Sequence, residues 1–390
     1  TINNAPKDES SWTDLTAKPG TSCEDVEGIL YENKMYFFCG DSGTSNTLVN
    51  SVSSYNILSD SWNTPDHTLN TARTDHTATL VGDNVYLYGG RDTTSLSQSI
   101  NSIERYDLVT GGSITLNSNG TARRFHAAVS FDNKIYFHGG VEDGGFELLD
   151  TMDIYDTLSG QWSSGAQSPN PRYQHNAVVY DGKIYLFGGF SDFVGGFLDI
   201  DIYDIQNNSW STLTGQTVNR HSASANLIDG LIYLVGGVGP NDSAPNVISV
   251  FDPSIQSFLE DAILEGGRER SAHAATIYNG RIYIFGGRAG SSGSVSNLLD
   301  RYTPISHSKT LVSFSRPTAS IIEGDWSLSV DVSLSRTAVG NETVNYIISN
   351  GSTATNSEDF SITTGTISFD ADERTKTITY SINDDVSDEG

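Results

Sequence analysis

The sequence predicts an all-β protein in which six repeated units precede a smaller antiparallel β domain. Six times along the chain, an apolar aromatic segment ends in a doublet of small residues. The doublets begin at positions 39, 89, 139, 188, 236 and 286, which are about 50 residues apart. A period of this length in strand-like segments is typical of solenoids, propellers and other repeat arrays.

Each unit predicts four short strands. The first strand follows an arginine, and a tight turn such as Asp181-Gly182 joins it to the aromatic second strand. Asp-Gly and Asn-Gly suit hairpin turns because both central positions can adopt positive φ. A Gly-Gly doublet ends the second strand, where the backbone bends or approaches a neighbour closely. The third strand ends in Tyr-Asp and the fourth includes a large apolar residue, as at Tyr155-Asp156 and Trp162.

The order of these residues resembles the kelch repeat. The glycine doublet after an apolar strand, the Tyr-Asp pair and the tryptophan follow the family's order over roughly residues 10–305. The resemblance implies a β-propeller with one four-stranded blade per repeat, and hence six blades. We expect this propeller to occupy residues 1–306.

The two ends of the repeat array predict how the ring closes. The sixth unit has no tryptophan for its fourth strand, because Lys309 stands in that place. A fourth-strand pattern without its own unit surrounds Trp12 at the start of the chain. We therefore expect residues 10–16 to complete the last blade, which joins the ends of the ring and removes an exposed strand edge.

Residues 307–390 predict a second domain, because apolar and polar residues alternate there with the period of half-buried antiparallel strands in a sandwich. This segment resembles the Calx-beta domain, with Ile322-Glu323-Gly324, Gly365-Thr366-Ile367-Ser368-Phe369 and Asp384-Asp385 in matching places. The family pattern continues with one more strand after its last acidic motif. We therefore expect a sandwich that lacks its final strand, and further domains after residue 390.

The Calx-beta resemblance implies calcium at one end of the sandwich. Calcium takes six to eight oxygen ligands, many of them carboxylates. The candidate ligands are Glu323, Asp359, Asp384, Asp385 and Glu389. The alternative is that these are ordinary loop acids.

The charge and the cysteine content of the chain restrict its possible classes of binding partner and its cellular compartment. The chain has 48 acidic and 22 basic residues, a net charge of −26, which argues against nucleic acid and anionic membranes as partners. No apolar run approaches the ~20 residues of a membrane helix, so we expect no membrane insertion.

Cys23 replaces the repeat arginine and Cys39 the first glycine of one unit, so we expect a disulfide between them. A disulfide favours a secreted or cell-surface protein, and two buried thiols are the alternative.

The candidate binding residues lie where each first strand begins. In a propeller, the segments before the first strands and after the second strands emerge on one face. Five repeat arginines occupy this place: Arg73, Arg123, Arg172, Arg220 and Arg270. Phe125, Tyr173 and His221 lie beside them. A ring of guanidinium groups could bind carboxylates bidentately, and rim aromatics could stack on sugars. The alternative is that each arginine is neutralised within the protein and joins blades.

The sequence favours a binding or adhesion protein whose propeller binds a glycan, possibly acidic, or a protein ligand. The Calx-beta unit would then be a calcium-stiffened spacer. No Gly-x-Ser-x-Gly elbow, phosphate-binding loop or His-Glu-x-x-His motif is present, so an enzyme is the weaker hypothesis. Its best form is a carbohydrate-active enzyme similar to a sialic-acid mutarotase, with general acid and base groups in the loops. A purely structural segment of a long surface protein is the third possibility.

Overall fold

The computed structural model divides the chain into two compact units, Ser10–His307 and the C-terminal residues from Ser308 onward. Every regular element among the described residues is a β-strand. The described residues are 11–20, 22–38, 40–41, 47–93, 98–142, 147–191, 195–216, 218–240, 243, 245, 247–259, 262–263, 268–288, 293–304, 312–314, 327–334, 342–347, 364–370, 373 and 375–381. Within them there is no helix with the length and hydrophobicity of a membrane span.

The described part of the first unit is a propeller of six four-stranded antiparallel blades, numbered here in chain order. The innermost, first strands are Glu27–Tyr31, Thr77–Val81, Ala127–Phe131, Asn176–Tyr180, Ser224–Ile228 and Ala274–Tyr278. The second strands are Lys34–Phe38, Asn84–Tyr88, Lys134–His138, Lys183–Phe187, Leu231–Val235 and Arg281–Phe285. The third strands are Ser51–Asn56, Ile103–Asp107, Met152–Asp156, Ile200–Asp204, Val247–Asp252 and Leu299–Thr303. The fourth strands are Ser61–Thr68, Ser113–Leu116, Trp162–Ser164, Ser209–Leu213, Ser257–Phe258 and, for blade 6, Ser11–Asp14.

Short pairings extend three of the blades at the end where their first strands begin. The paired segments are Arg73–Thr74 with Arg91–Asp92, Val141–Glu142 with Glu147–Leu148, and Phe190–Ser191 with Gly195–Gly196. In blade 5 the short strand Ala262–Ile263 also pairs with the third strand.

The N-terminal strand closes the ring, as the sequence predicts. Ser11–Asp14 pairs antiparallel with the third strand of blade 6 and places Trp12 opposite Tyr302. The two ring centroids lie 4.9 Å apart. Arg268 stabilises this strand, since its guanidinium lies over the Trp12 ring and forms an ion pair with Asp14. Blade 6 is therefore built from both ends of the propeller segment.

The second strand of each blade reads as an unbroken apolar run because both of its faces are covered by neighbouring blades. In Lys134–His138, every residue after the lysine is buried. The fourth-strand tryptophans fill the space between blades: the Trp162 ring lies 5.0 Å from Tyr155 in its own blade and 5.2 Å from Tyr88 in the preceding one. The tyrosine and tryptophan of the repeat thus form the core between blades.

The glycine doublets mark the points where one blade touches the next. In blade 3, Gly139 and Gly140 have φ of 65° and 89°, and the Gly140 N–H donates to the Arg172 carbonyl of blade 4 at 2.9 Å. A Cβ on Gly139 would lie 2.6 Å from the same oxygen. The equivalent bonds run from Gly90 to Arg123, Gly189 to Arg220, Gly237 to Arg270 and Gly287 to Cys23. The doublet is required because a side chain would push the blades apart.

The described strands of the C-terminal unit form two sheets. Val312–Phe314, Ser327–Leu334 and Thr375–Ser381 form a three-stranded sheet, and Glu342–Ile347 pairs with Thr364–Phe369. Val332 and Ile378 of the first sheet share one buried cluster with Phe369 of the second. Two sheets that share an apolar core form a sandwich, in agreement with the sequence.

Two sets of predicted residues lie wholly or partly outside the described part of the chain. All five calcium candidates fall there: Glu323, Asp359, Asp384, Asp385 and Glu389. Cys39 also falls there, whereas Cys23 is 1% exposed in the core between blades 6 and 1. The calcium site and the Cys23–Cys39 disulfide therefore stay predictions.

Candidate functional site

The end of the propeller where first strands begin and second strands end is called the loop face below. In each blade, the residue after the repeat arginine (Cys23 in blade 1) pairs with the residue after the doublet, so both predicted segments do emerge together. The pairs are Glu24 with Asp41, Thr74 with Arg91, Arg124 with Val141, Tyr173 with Phe190, His221 with Val238, and Ser271 with Arg288.

One residue further along each blade, six residues surround the propeller axis and are called the axial ring: Asp25, Asp75, Phe125, Gln174, Ser222 and Ala272. All six have left-handed φ, between 49° and 58°. Backbone bonds connect neighbours in this ring; for example, the Gln174 N–H donates to the Phe125 carbonyl at 2.8 Å and the Ser222 N–H to Gln174 at 2.9 Å. The loop face is thus fixed by backbone atoms across blade boundaries.

Further along the first strands, small and aliphatic side chains line a central cavity of ≈ 390 Å³. Its walls include Gly28, Leu80, Ala177, Ala225 and Ala275. Two polar residues, Asn226 and Thr276, also line this cavity.

The structure does not expose the five repeat arginines on the loop face. Arg73, Arg123, Arg172, Arg220 and Arg270 are between 0% and 6% exposed. Arg172 is typical: it donates to the Gly188 carbonyl at 2.9 Å and to Asp201 at 2.5 Å, and the Phe197 ring covers it at 4.2 Å. Burial lowers the pKa of Arg172, but nearby Asp201 opposes this shift. The structure therefore corrects the prediction of a ligand-facing ring of guanidinium groups. These arginines are buried and bonded within the protein, which was the alternative.

The partners of these arginines were missed in the sequence. Each lies on the third strand, two residues before the repeat tyrosine or phenylalanine: Glu104, Asp153, Asp201, Ser249 and Asp300. Blade 1 has Cys23 in place of the arginine, and Ser53 in place of the acid. This concerted change within one unit was the available signal that the arginine and the acid form a pair.

Histidines that lie three residues after four of the repeat arginines are also structural. His76, His126, His175 and His273 are between 4% and 7% exposed. The Nε2 atom of His126 lies 2.9 Å from Thr77 Oγ1 of the preceding blade. Burial lowers the pKa of His126 well below its usual range, so the ring stays neutral and connects blades.

The predicted aromatic residues do come together on the loop face. The Phe125 and Tyr173 ring centroids are 6.3 Å apart, Phe190 lies 5.8 Å from Tyr173, and His221 lies 5.8 Å from Phe190. These four residues, called the aromatic arc, run from blade 3 to blade 5. All four are half-buried, so each ring is supported by neighbours and keeps part of its surface in solvent.

Acidic residues dominate the opposite side of the loop face, on blades 1 and 2. Arg288 pairs with Glu24 at 2.5 Å, and Arg91 lies 2.9 Å from Asp75. Burial raises the pKa of Asp25 well above its usual range, and the negative charge of Asp75 adds to this. The loop face is therefore polarised, with acids on blades 1 and 2 and aromatic rings on blades 3 to 5. In the described part of the chain, no group of three or more His, Cys, Asp or Glu residues is placed to hold a metal ion.

Glu27 gives the propeller a pH dependence. It begins the first strand of blade 1, where burial raises the pKa of its carboxyl from 4.5 to about 8. The folded state therefore binds a proton that the unfolded state releases above pH 4.5. This contribution to stability is complete below pH 4.5 and is lost as the pH rises through 8.

Glu27→Gln removes this dependence. We expect the variant to match the wild type at pH 4.5 and to exceed its free energy of unfolding at pH 9 by roughly 1–3 kcal/mol, since one pKa unit is worth about 1.4 kcal/mol. Urea unfolding at both pH values measures this. Glu32→Gln, on the exposed turn of the same hairpin, is the control and should show no such gain; an equal gain there contradicts the assignment to Glu27.

Comparison with known proteins agrees with this architecture. A model described as the KLHDC2/KLHL20/DRC7 Kelch-repeats domain matches residues 26–237 and 164–298. The chain belongs to the kelch-repeat family. A Calx-beta domain model matches residues 306–390, so the kelch propeller is followed by a Calx-beta domain.

The chain is similar to short parts of much longer curated proteins. It is 28% identical over 145 residues to the Ras guanine nucleotide exchange factor F of Dictyostelium discoideum, covering 36% of this chain and 13% of that protein. It is 35% identical over 94 residues to tRNA wybutosine-synthesizing protein 2/3/4 of Oryza sativa subsp. japonica, covering 23% of this chain and 9% of that protein. The solved structure of YjhT matches with a TM-score of 0.61 at 15% identity, covering 73% of this chain and 96% of YjhT, which shows a shared fold.

Proposed function

We propose that the loop face of the kelch propeller binds a glycan, and that the protein is a secreted or cell-surface binding or adhesion protein. A kelch propeller next to a Calx-beta domain fits a binding or adhesion role in general. The observation that supports a glycan is the aromatic arc, which places four ring side chains in contact across three blades.

The arc suits a sugar for two physical reasons. Aromatic rings offer an apolar face that matches the C–H face of a pyranose ring. The axial ring fixes the backbone beside Phe125, so little conformational entropy is lost when a ligand is bound. A rigid, partly exposed aromatic strip next to polar groups is a common form of small-ligand site.

In this proposal the Calx-beta domain acts as a spacer. Calx-beta domains are calcium-binding domains and occur in extracellular and membrane proteins. The five candidate ligands in this chain are all carboxylates, the ligand type that calcium prefers. Calcium bound there would stiffen the domain, and the predicted Cys23–Cys39 disulfide fits an oxidising compartment.

Glycan binding is tested with Tyr173→Ala and Phe190→Ala in the full chain on a glycan array. We expect the wild type to bind a defined set of glycans and each variant to lose about tenfold or more in affinity, because removal of a stacking ring costs ~1–3 kcal/mol.

The control is Phe131→Ala, which removes an aromatic ring that is 38% exposed at the far end of the first strand of blade 3. It should bind like the wild type. Absence of any glycan hit, or equal losses in all three variants, contradicts the proposal.

A further inference from the structure

Arg124 is a half-buried arginine of the loop face. It directly follows the repeat arginine Arg123, whose guanidinium is enclosed within blade 3. Its counterparts on the other side of the face are paired, Arg91 with Asp75 and Arg288 with Glu24. Within the described residues, Arg124 forms no ion pair, and its buried Nε has no hydrogen-bond partner.

The position of Arg124 connects it to the aromatic arc. Its guanidinium carbon lies 5.5 Å from the centre of the Phe125 ring, at the blade 3 end of the arc. Burial lowers its pKa, while the charge of Asp75 opposes this shift. Arg124 has thus lost part of its hydration without forming an ion pair, which is a cost that a bound carboxylate would offset.

We propose that Arg124 anchors the carboxylate of a hexuronate residue whose sugar ring stacks on the aromatic arc. This inference rests on the proposed glycan binding and names the class of sugar. The planar guanidinium donates two parallel N–H bonds to a carboxylate, which fixes its orientation as well as its charge. The aromatic rings beside it then receive the face of the same sugar.

The surroundings of Arg124 favour a ligand with a single negative charge at this point. Asp75 lies close enough to act on Arg124 electrostatically, and Glu24, Asp25 and Asp41 follow on blade 1. The whole chain has a net charge of −26. A multiply charged group such as a phosphate, or a run of acidic residues in a peptide, would meet this repulsion, whereas one carboxylate can be neutralised by Arg124 alone.

Calorimetry on the full chain tests the inference with two matched ligands, an oligosaccharide that contains a single galacturonate residue and the same oligosaccharide after reduction of its carboxyl group to an alcohol. We expect the wild type to bind the uronate at least about tenfold more tightly than the reduced form. Arg124→Gln should abolish this preference without lowering the affinity for the reduced form. Arg124→Lys should keep part of the preference, because lysine retains the charge but not the two parallel N–H donors of the guanidinium.

Arg281→Gln is the matched control, since it removes an exposed arginine at the start of the second strand of blade 6, away from the loop face. It should bind both ligands like the wild type. Equal affinity for the two ligands, or a preference that survives in Arg124→Gln, overturns the inference. In that case Tyr173→Ala tests the proposed function separately. Glycan binding by the loop face stands if this variant has a lower affinity than the wild type for the reduced oligosaccharide.

Two further ligands test the chemical class. A neutral oligosaccharide with one phosphate group and oligoglutamate should both bind more weakly than the oligosaccharide with a single galacturonate residue. Binding of either one as tightly as the uronate, with the same loss in Arg124→Gln, overturns the assignment of a sugar carboxylate.

Discussion

Replacing Arg123 by alanine should lower the free energy of unfolding by about 3–5 kcal/mol, the range seen when one partner of a buried ion pair is removed. Arg123 is fully buried and donates to Asp153 and to the Gly139 carbonyl, both at 2.9 Å. Without it, Asp153 becomes a buried, poorly compensated carboxylate, and the Gly139 carbonyl loses a donor. Urea or thermal unfolding of the full chain measures the loss.

The chain itself suggests the matched control for this experiment. Blade 1 lacks both members of the pair, with Cys23 and Ser53 in their places. The double variant Arg123→Ala/Asp153→Ser should therefore be more stable than Arg123→Ala alone, because it removes the stranded charge. If Arg123→Ala unfolds like the wild type and instead loses ligand binding, the structural role assigned to Arg123 is wrong. The hypothesis of a ligand-binding ring of arginines would then be supported.

Gly188→Ala should destabilise the propeller by about 4 kcal/mol or more, at the upper end of single substitutions. A Cβ at this position would lie 1.9 Å from the Arg220 carbonyl oxygen of blade 5, and the residue has a φ of +60°. Relief of this contact requires blades 4 and 5 to separate. The same unfolding measurements give the size of the effect.

Gly182→Ala separates the steric contact from backbone strain. Gly182 has a similar φ of +68°, but a Cβ there would meet no atom within 4 Å. It should therefore cost only the ~1–2 kcal/mol of placing a side chain in the left-handed region. Similar losses in the two variants would show that the blade contact adds nothing to the strain.

The sequence predicts the architecture well because the signals repeat. Six doublets indicate six blades, and the displaced fourth-strand pattern around Trp12 indicates the closure that its pairing with Tyr302 confirms. Each of these features depends on residues close together in the chain or on comparison between units. The Calx-beta sandwich was predicted in the same way, from local alternation.

The roles of the loop-face residues were harder to predict because they depend on distances between blades. Arg123 meets Asp153, 30 residues later, so its neutralisation is not visible in its own segment. Nothing in the sequence distinguishes Arg124 from the other residues that follow a repeat arginine. Its importance emerges only once Arg123 is seen to be enclosed and the Phe125 ring is seen beside it.

The axial ring separates folding from recognition at six positions. Its members bond to neighbouring blades through N–H and carbonyl groups, which every residue except proline provides. The side chains at 25, 75, 125, 174, 222 and 272 can therefore differ from blade to blade, as they do here, from aspartate to phenylalanine to alanine. For protein engineering, the ring is a set of exchangeable positions on which a new ligand preference can be installed one blade at a time.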